Sequence, residues 1–210
     1  IGNCNAVVNR AELLTDGNEK DITTLVAEAR CLRAFYYSIL VNTYGNVTLT
    51  LEESSQDPIL TPQRNSIEEL YTQIIDDLKF AANNLEDTPY DNNRARVTKK
   101  TALGLLARVY AQGGGEYGLT EDGVSYWQRA KEVAEDMILA YDCLYDDVED
   151  VWAPANNRNN KEALFIAAGP DATNLENWNA GTQCNNNFTY MYPKPNTLTI
   201  YPTPDNQNYW

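Results

Sequence analysis

The pattern Ala-x-x-Leu-x-Ala-x-x-Tyr occurs twice in this chain. It runs once from Ala29 through Leu32 and Ala34 to Tyr37, and again from Ala102 through Leu105 and Ala107 to Tyr110. Offsets of three and four residues put one apolar side chain on the same helical face at every turn. Alanines at these offsets let two helices approach closely, and the tyrosine fills the gap one turn later. The surrounding sequence agrees. Asp21 to Tyr44 carries Leu25, Ala29, Leu32, Phe35, Tyr36, Ile39 and Leu40 at helical spacing, and Gly45 is a C-terminal stop. Ser66 with Glu69 forms a capping box ahead of Ile67, Leu70, Tyr71, Ile74, Leu78, Ala81, Ala82 and Leu85. Thr98 caps a third long helix, predicted to break at Gly113-Gly114-Gly115. A fourth is predicted over about Ser125–Tyr141, with Trp127, Ala130, Val133, Ala134, Met137 and Ile138 on one face. A weaker one near the start holds Val7, Val8, Ala11 and Leu14, and Ala163–Ala168 reads equally as a buried strand or a helical turn.

Helix pairs repeating with small residues at the contact follow the packing logic of tetratricopeptide repeats, whose period is about 34 residues. Two such periods with some loop insertion span the distance between the patterns. The expected fold is therefore an all-α core, a tetratricopeptide-like α–α superhelix, with a generic helical bundle as the alternative. From residue 169 onward, Asn, Thr, Pro and Tyr replace the periodic pattern. We expect residues 1–168 to form the helical domain and 169–210 to be an irregular, loop-rich segment. Because a structureless run of about 40 residues is uncommon in a compact domain, the chain is expected to be a piece of a longer protein.

Composition removes much chemistry. Thirty acidic residues against sixteen basic ones give a net charge of −14, which repels phosphate backbones and anionic lipid surfaces and argues against nucleic-acid binding. The chain has no histidine, so Ser–His and Cys–His nucleophile pairs and the commonest metal ligand are missing. Cys4, Cys31, Cys143 and Cys184 have no C-x-x-C spacing, and no zinc site is expected. Cys31 is expected to be a core residue. The acidic runs Asp76-Asp77 and Asp146–Asp150 lack calcium-loop spacing and read as solvated faces. The glycine triplet lacks the Gly-Lys-Ser/Thr of a phosphate loop. No metal or cofactor is expected, and no window has the roughly 18–20 apolar residues of a membrane span.

Four blocks of sequence, in order, resemble one family. Ala27-Glu28-Ala29-Arg30-Cys31-Leu32-Arg33-Ala34-Phe35-Tyr36-Tyr37 followed by Tyr44-Gly45-Asn46-Val47 is similar to the "AEARFLRAFYY…YGxVPL" signature of the SusD/RagB family. Arg64, Ser66, Glu69-Leu70-Tyr71, Ile74 and Asp77-Leu78 resemble its second block. Arg94 to Lys99 with Ala102–Tyr110 resembles the third, and Trp127 through Phe165 the fourth. Thr48, Asn93 and Cys31 depart from the family's Pro, Gly and Phe. The resemblance covers roughly residues 1–168. It implies a tetratricopeptide-like fold with a grafted ligand-binding region, in an outward-facing outer-membrane lipoprotein of Bacteroidetes. Such a protein binds oligosaccharide without cleaving it and serves a TonB-dependent SusC-like transporter. Attachment to the membrane would run through a lipid anchor absent from this chain, since Cys4 has no lipobox context.

Sugar recognition needs flat apolar faces against pyranose C–H groups and fixed polar groups for hydroxyls, and loops on a rigid scaffold usually supply them. The C-terminal segment holds both kinds of residue. Trp178, Tyr190, Tyr192, Asn179 and Trp210 are the candidate ligand-binding residues, while the same aromatics could instead pack onto further protein. Arg33, Tyr36, Tyr37 and Tyr44 are read as packing between helices or satisfying loop carbonyls, and Arg94 and Arg96 as pairing with carboxylates to fix a loop. A non-catalytic glycan-binding protein is the leading reading. A tetratricopeptide-type interaction scaffold is the alternative, and a glycoside hydrolase the third.

Overall fold

The computed structural model describes residues 1–11, 13–15, 17–53, 61–93, 95–141, 144–153, 156 and 160–165, all within one unit, Ile1–Ile166. Helix α1 spans Gly2–Ala11, α2 Glu19–Tyr44, α3 Ile67–Asn84 and α4 Lys99–Tyr117. A short hairpin of β1 (Thr120–Glu121) and β2 (Val124–Ser125) leads into α5 (Tyr126–Ala140), and α6 is Val148–Trp152. Helix α2 packs against α3, α3 against α4, α4 against α5, and α1 against α2. This is a tetratricopeptide-like arrangement of antiparallel pairs.

Local chemistry sets the helix ends. Asn18 accepts from the Lys20 amide at the start of α2, and the Gly45 N–H donates to the Val41 carbonyl at its end, with φ at +68°. Ser66 and Glu69 form the expected capping box on α3. Thr98 and Thr101 form another on α4, and Ser125 accepts from the Gln128 amide at α5. The hairpin turns through Asp122-Gly123 and pairs Thr120 with Ser125 and Glu121 with Val124, a turn dipeptide suited to a two-residue connection.

The core lies between the pairs. Cys31, Ala34, Val41, Leu70, Ile74, Ile75, Leu78, Ala102, Val109 and Tyr110 are almost fully buried. Cys31 is a core residue as expected, and burial pushes its thiol up to about 12, which keeps it protonated and inert.

Several expectations need correction. The glycine triplet does not end α4, which runs on to Tyr117. A Cβ on Gly113 would lie 2.8 Å from atoms of both Tyr71 and Tyr126, and one on Gly114 would lie 2.9 Å from the Trp127 backbone nitrogen. The glycines therefore serve close approach rather than chain termination. On α2 the buried stripe is Ala27, Cys31, Ala34, Tyr37 and Val41, whereas Leu25, Tyr36 and Ile39 are exposed. Trp127 and Ile138 on α5 are also exposed. In α1 the buried residue is Asn5 rather than a valine, and Leu14 lies beyond the helix and is exposed. Of the run Ala163–Ala168, residues 163–165 form no regular element and 166–168 lie outside the described residues.

Candidate functional site

The five candidate ligand-binding residues, Trp178, Asn179, Tyr190, Tyr192 and Trp210, lie outside the described residues, as do Arg94, Cys143 and Cys184. The described residues show how the signature positions build and fix a scaffold. The key group is Asp77, 1% exposed on α3. Its Oδ2 accepts from Arg33 Nε at 2.7 Å; its Oδ1 accepts from Arg33 Nη2 and Arg30 Nε at 2.8 Å each, and from Gln73 Nε2 at 3.1 Å. Four donors on one buried carboxylate compensate for its lost hydration, which an isolated buried charge could not do. Arg33 is itself 3% exposed and uses Nη1 to donate to Asn5 Oδ1 at 3.0 Å. Asn5 passes the connection on, donating from Nδ2 to the carbonyls of Thr50 and Glu52 at 2.8 and 3.0 Å. Tyr37 completes the anchor, its hydroxyl donating to the Thr50 carbonyl at 3.0 Å and accepting from the Thr50 amide at 2.8 Å. One polar chain thus joins α3, α2, α1 and the segment after α2.

A second anchor holds the α3–α4 connection. Arg96 donates from Nε to both Glu28 oxygens, at 2.9 and 3.0 Å, and also through Nη2. Its guanidinium lies 4.8 Å from the Tyr90 ring centroid, a cation–π distance. A third anchor sits at the hairpin. Glu121 accepts from Tyr110 Oη at 2.8 Å and Lys79 Nζ at 2.7 Å, with Arg129 Nε 3.5 Å away. Partial burial works to raise the Glu121 pKa, but the hydrogen bonds from Lys79 and Tyr110 and the nearby cations outweigh it and hold it below the usual carboxylate range.

Arg33 and Tyr37 therefore do what the sequence reading expects, and Arg96 fixes a loop through a carboxylate. Tyr36 and Tyr44 do not pack between helices; they are 48% and 69% exposed, while Ala27 and Ala34 are fully buried. The reading of Asp76-Asp77 as a solvated pair is corrected at Asp77. Its helical offset beside Ile74, Ile75 and Leu78 was the available signal, since a charge on that face must meet an opposite one. Asn5 gave no comparable signal. Among the described residues no group of acids and cysteines is placed to hold a metal ion, and no helix is long and apolar enough to cross a membrane.

The family model described as "Starch-binding associating with outer membrane" matches residues 1–111. The chain belongs to this SusD-like family. Its match to a SusD-like protein of Bacteroides ovatus is 34% identical over 169 residues, covering 77% of this chain and 29% of the relative. Among solved structures, a laminarin-binding SusD-like protein superposes with a TM-score of 0.66 at 26% identity, covering 79% of this chain and 34% of that one. A structure described with xylogluco-oligosaccharide gives 0.63 at 29% identity, over 77% and 32%. The chain therefore spans about a third of the length of these SusD-like relatives. The anchors built on Arg33, Tyr37 and Asp77 all lie within the part the family model matches.

Proposed function

We propose that this protein binds oligosaccharide at the outer surface of the outer membrane, without cleaving it, and delivers it to a TonB-dependent SusC-like transporter. The observation that carries the reading is family membership together with two solved relatives, one described as laminarin-binding and one with xylogluco-oligosaccharide. In this reading residues 1–168 supply the scaffold and the segment from 169 supplies contacts, with Trp178, Tyr190, Tyr192 and Trp210 stacking on sugar faces and Asn179 meeting hydroxyls. Lipid attachment belongs to the same proposal. Calorimetry against a glycan panel, with chromatography of the mixtures, tests it. Saturable binding with the glycan recovered intact is expected. Product release would move the protein to the hydrolases, and indifference to every glycan would overturn the reading.

A further inference from the structure

A cleft of about 240 Å³ opens between the first turns of α2 and the α3–α4 connection. On α2, Asp21, Thr24 and Glu28 share a face at offsets of three and four. Leu85, Thr88 and Tyr90 face them from the connection, and Leu85 and Val97 are 5% and 4% exposed. The turn that carries Tyr90 continues through Asp91 and Asn92, both left-handed at φ 54° and 55°, a conformation Asp and Asn tolerate better than most residues. Arg96 holds the Tyr90 ring through the guanidinium contact described above, so the wall is fixed by the Glu28 anchor.

The charges of the cleft are mostly spoken for. Glu28 is neutralised by Arg96, and Glu86 by Lys20 at 2.9 Å. Thr24 donates to the Lys20 carbonyl at 2.9 Å. The Asp21 carboxylate and the hydroxyls of Thr88 and Tyr90 make no hydrogen bond to another described residue. What remains for a ligand is one carboxylate, two hydroxyls, an aromatic wall and an apolar floor. Calcium takes six to eight oxygens, which this set does not provide. Clefts for drug-sized ligands run to roughly 300–1,000 Å³, so this one suits a single ring. The Lys20–Glu86 pair is 73% and 64% exposed, and exposed pairs of this kind hold weakly enough to part for an entering ligand.

We infer that this cleft is a carbohydrate subsite that takes one pyranose ring, with Asp21 accepting hydrogen bonds from adjacent ring hydroxyls. Its ligand class rests on the glycan reading above; its location does not. The test uses saturation-transfer NMR with methyl β-glucopyranoside and methyl β-xylopyranoside on the protein, on Asp21→Asn and on Thr88→Val, with soluble laminarin and the glycan panel as parallel ligands. Either variant is checked for an unchanged unfolding midpoint. A saturable methyl glycoside signal in the wild type, weakened at least about tenfold by Asp21→Asn and measurably by Thr88→Val, is expected. Glycoside signals absent from the wild type, or equal in wild type and both variants, overturn the subsite. If a glycan of the panel still binds in that case, the glycan reading survives alone; if none does, both fall.

Discussion

In the α2–α3 pair, Tyr37 is buried and its hydroxyl exchanges two hydrogen bonds with the backbone of Thr50. In the α4–α5 pair, Tyr110 occupies the matching place in the repeated pattern and is equally buried, but its hydroxyl donates to the Glu121 carboxylate. The same residue at the same offset closes both pairs by tying down the segment that follows its helix. The pairs differ in what surrounds it. The first is joined by charge, with Arg30 and Arg33 on Asp77. The second is joined by aromatic contact, with Tyr110 and Tyr126 rings 5.0 Å apart edge to face and Tyr71 reaching in from α3 over Gly113. A repeat thus conserves geometry within one chain while leaving the chemistry of its joints free to differ.

The sharpest way to break the comparison is at Asp77. Asp77→Ala leaves Arg33, 3% exposed, as a buried charge with only Asn5 to meet it. Breaking a buried pair by removing one partner costs roughly 3–5 kcal/mol, and the expected loss in urea unfolding is of that size. Hydrogen exchange should then show the segment around Thr50 opening before α4 and α5. A loss under about 1 kcal/mol would mean that the charged joint is not what holds the first pair.

The tyrosines sharpen the comparison through pH. A hydrogen bond to a charged group contributes about 1.5–3 kcal/mol, so Tyr110→Phe should cost an amount in that range at neutral pH. The Glu121 pKa is lowered in the folded protein; its contribution is therefore fully present above the usual carboxylate value and fades as the pH falls through its folded pKa. The cost of Tyr110→Phe should shrink over that acidic window. Tyr37→Phe removes bonds to neutral backbone groups that do not titrate, worth about 0.5–1.5 kcal/mol each. Its cost should stay level over the same range. Denaturant midpoints of both variants at neutral pH and at a series of acidic pH values running below the usual carboxylate range distinguish the two.

Much of this fold was legible because periodicity and caps are local. The Ser66 box, the Thr98 cap, the Gly45 stop and the repeated Ala–Tyr pattern each announce themselves within a few residues. The face of α2 was less legible, because Leu25, Tyr36 and Ile39 satisfy helical spacing as well as Ala27, Cys31 and Val41 do. Which stripe turns inward is decided by the partner helix α3, whose own buried face carries Leu70, Ile74 and Leu78. Asn5 and Asp77 were hidden for a related reason. A polar residue is read as exposed unless its partner is known, and these partners lie 28 and 44 positions away in sequence. The candidate sugar residues rested on composition and resemblance, which name a palette without assigning positions.

Gly113 offers the smallest and most discriminating effect, because two terms oppose each other there. Alanine is favoured over glycine in a helix interior by about 1 kcal/mol, so propensity alone makes Gly113→Ala stabilising. A new Cβ would lie 2.8 Å from Tyr71 Cε1 and from Tyr126 Cδ2. Both rings are buried and packed against other rings, Tyr71 against Tyr117 and Tyr126 against Tyr110, so neither can swing away freely. Overpacking a filled core costs about 1–3 kcal/mol, which exceeds the propensity gain. The net expectation is a destabilisation of up to about 2 kcal/mol in thermal or urea unfolding, accompanied by a changed near-ultraviolet tyrosine signal as the cluster shifts. A stabilised variant would mean the rings yield readily, and the second pair would then be held by the Glu121 anchor rather than by its aromatic joint.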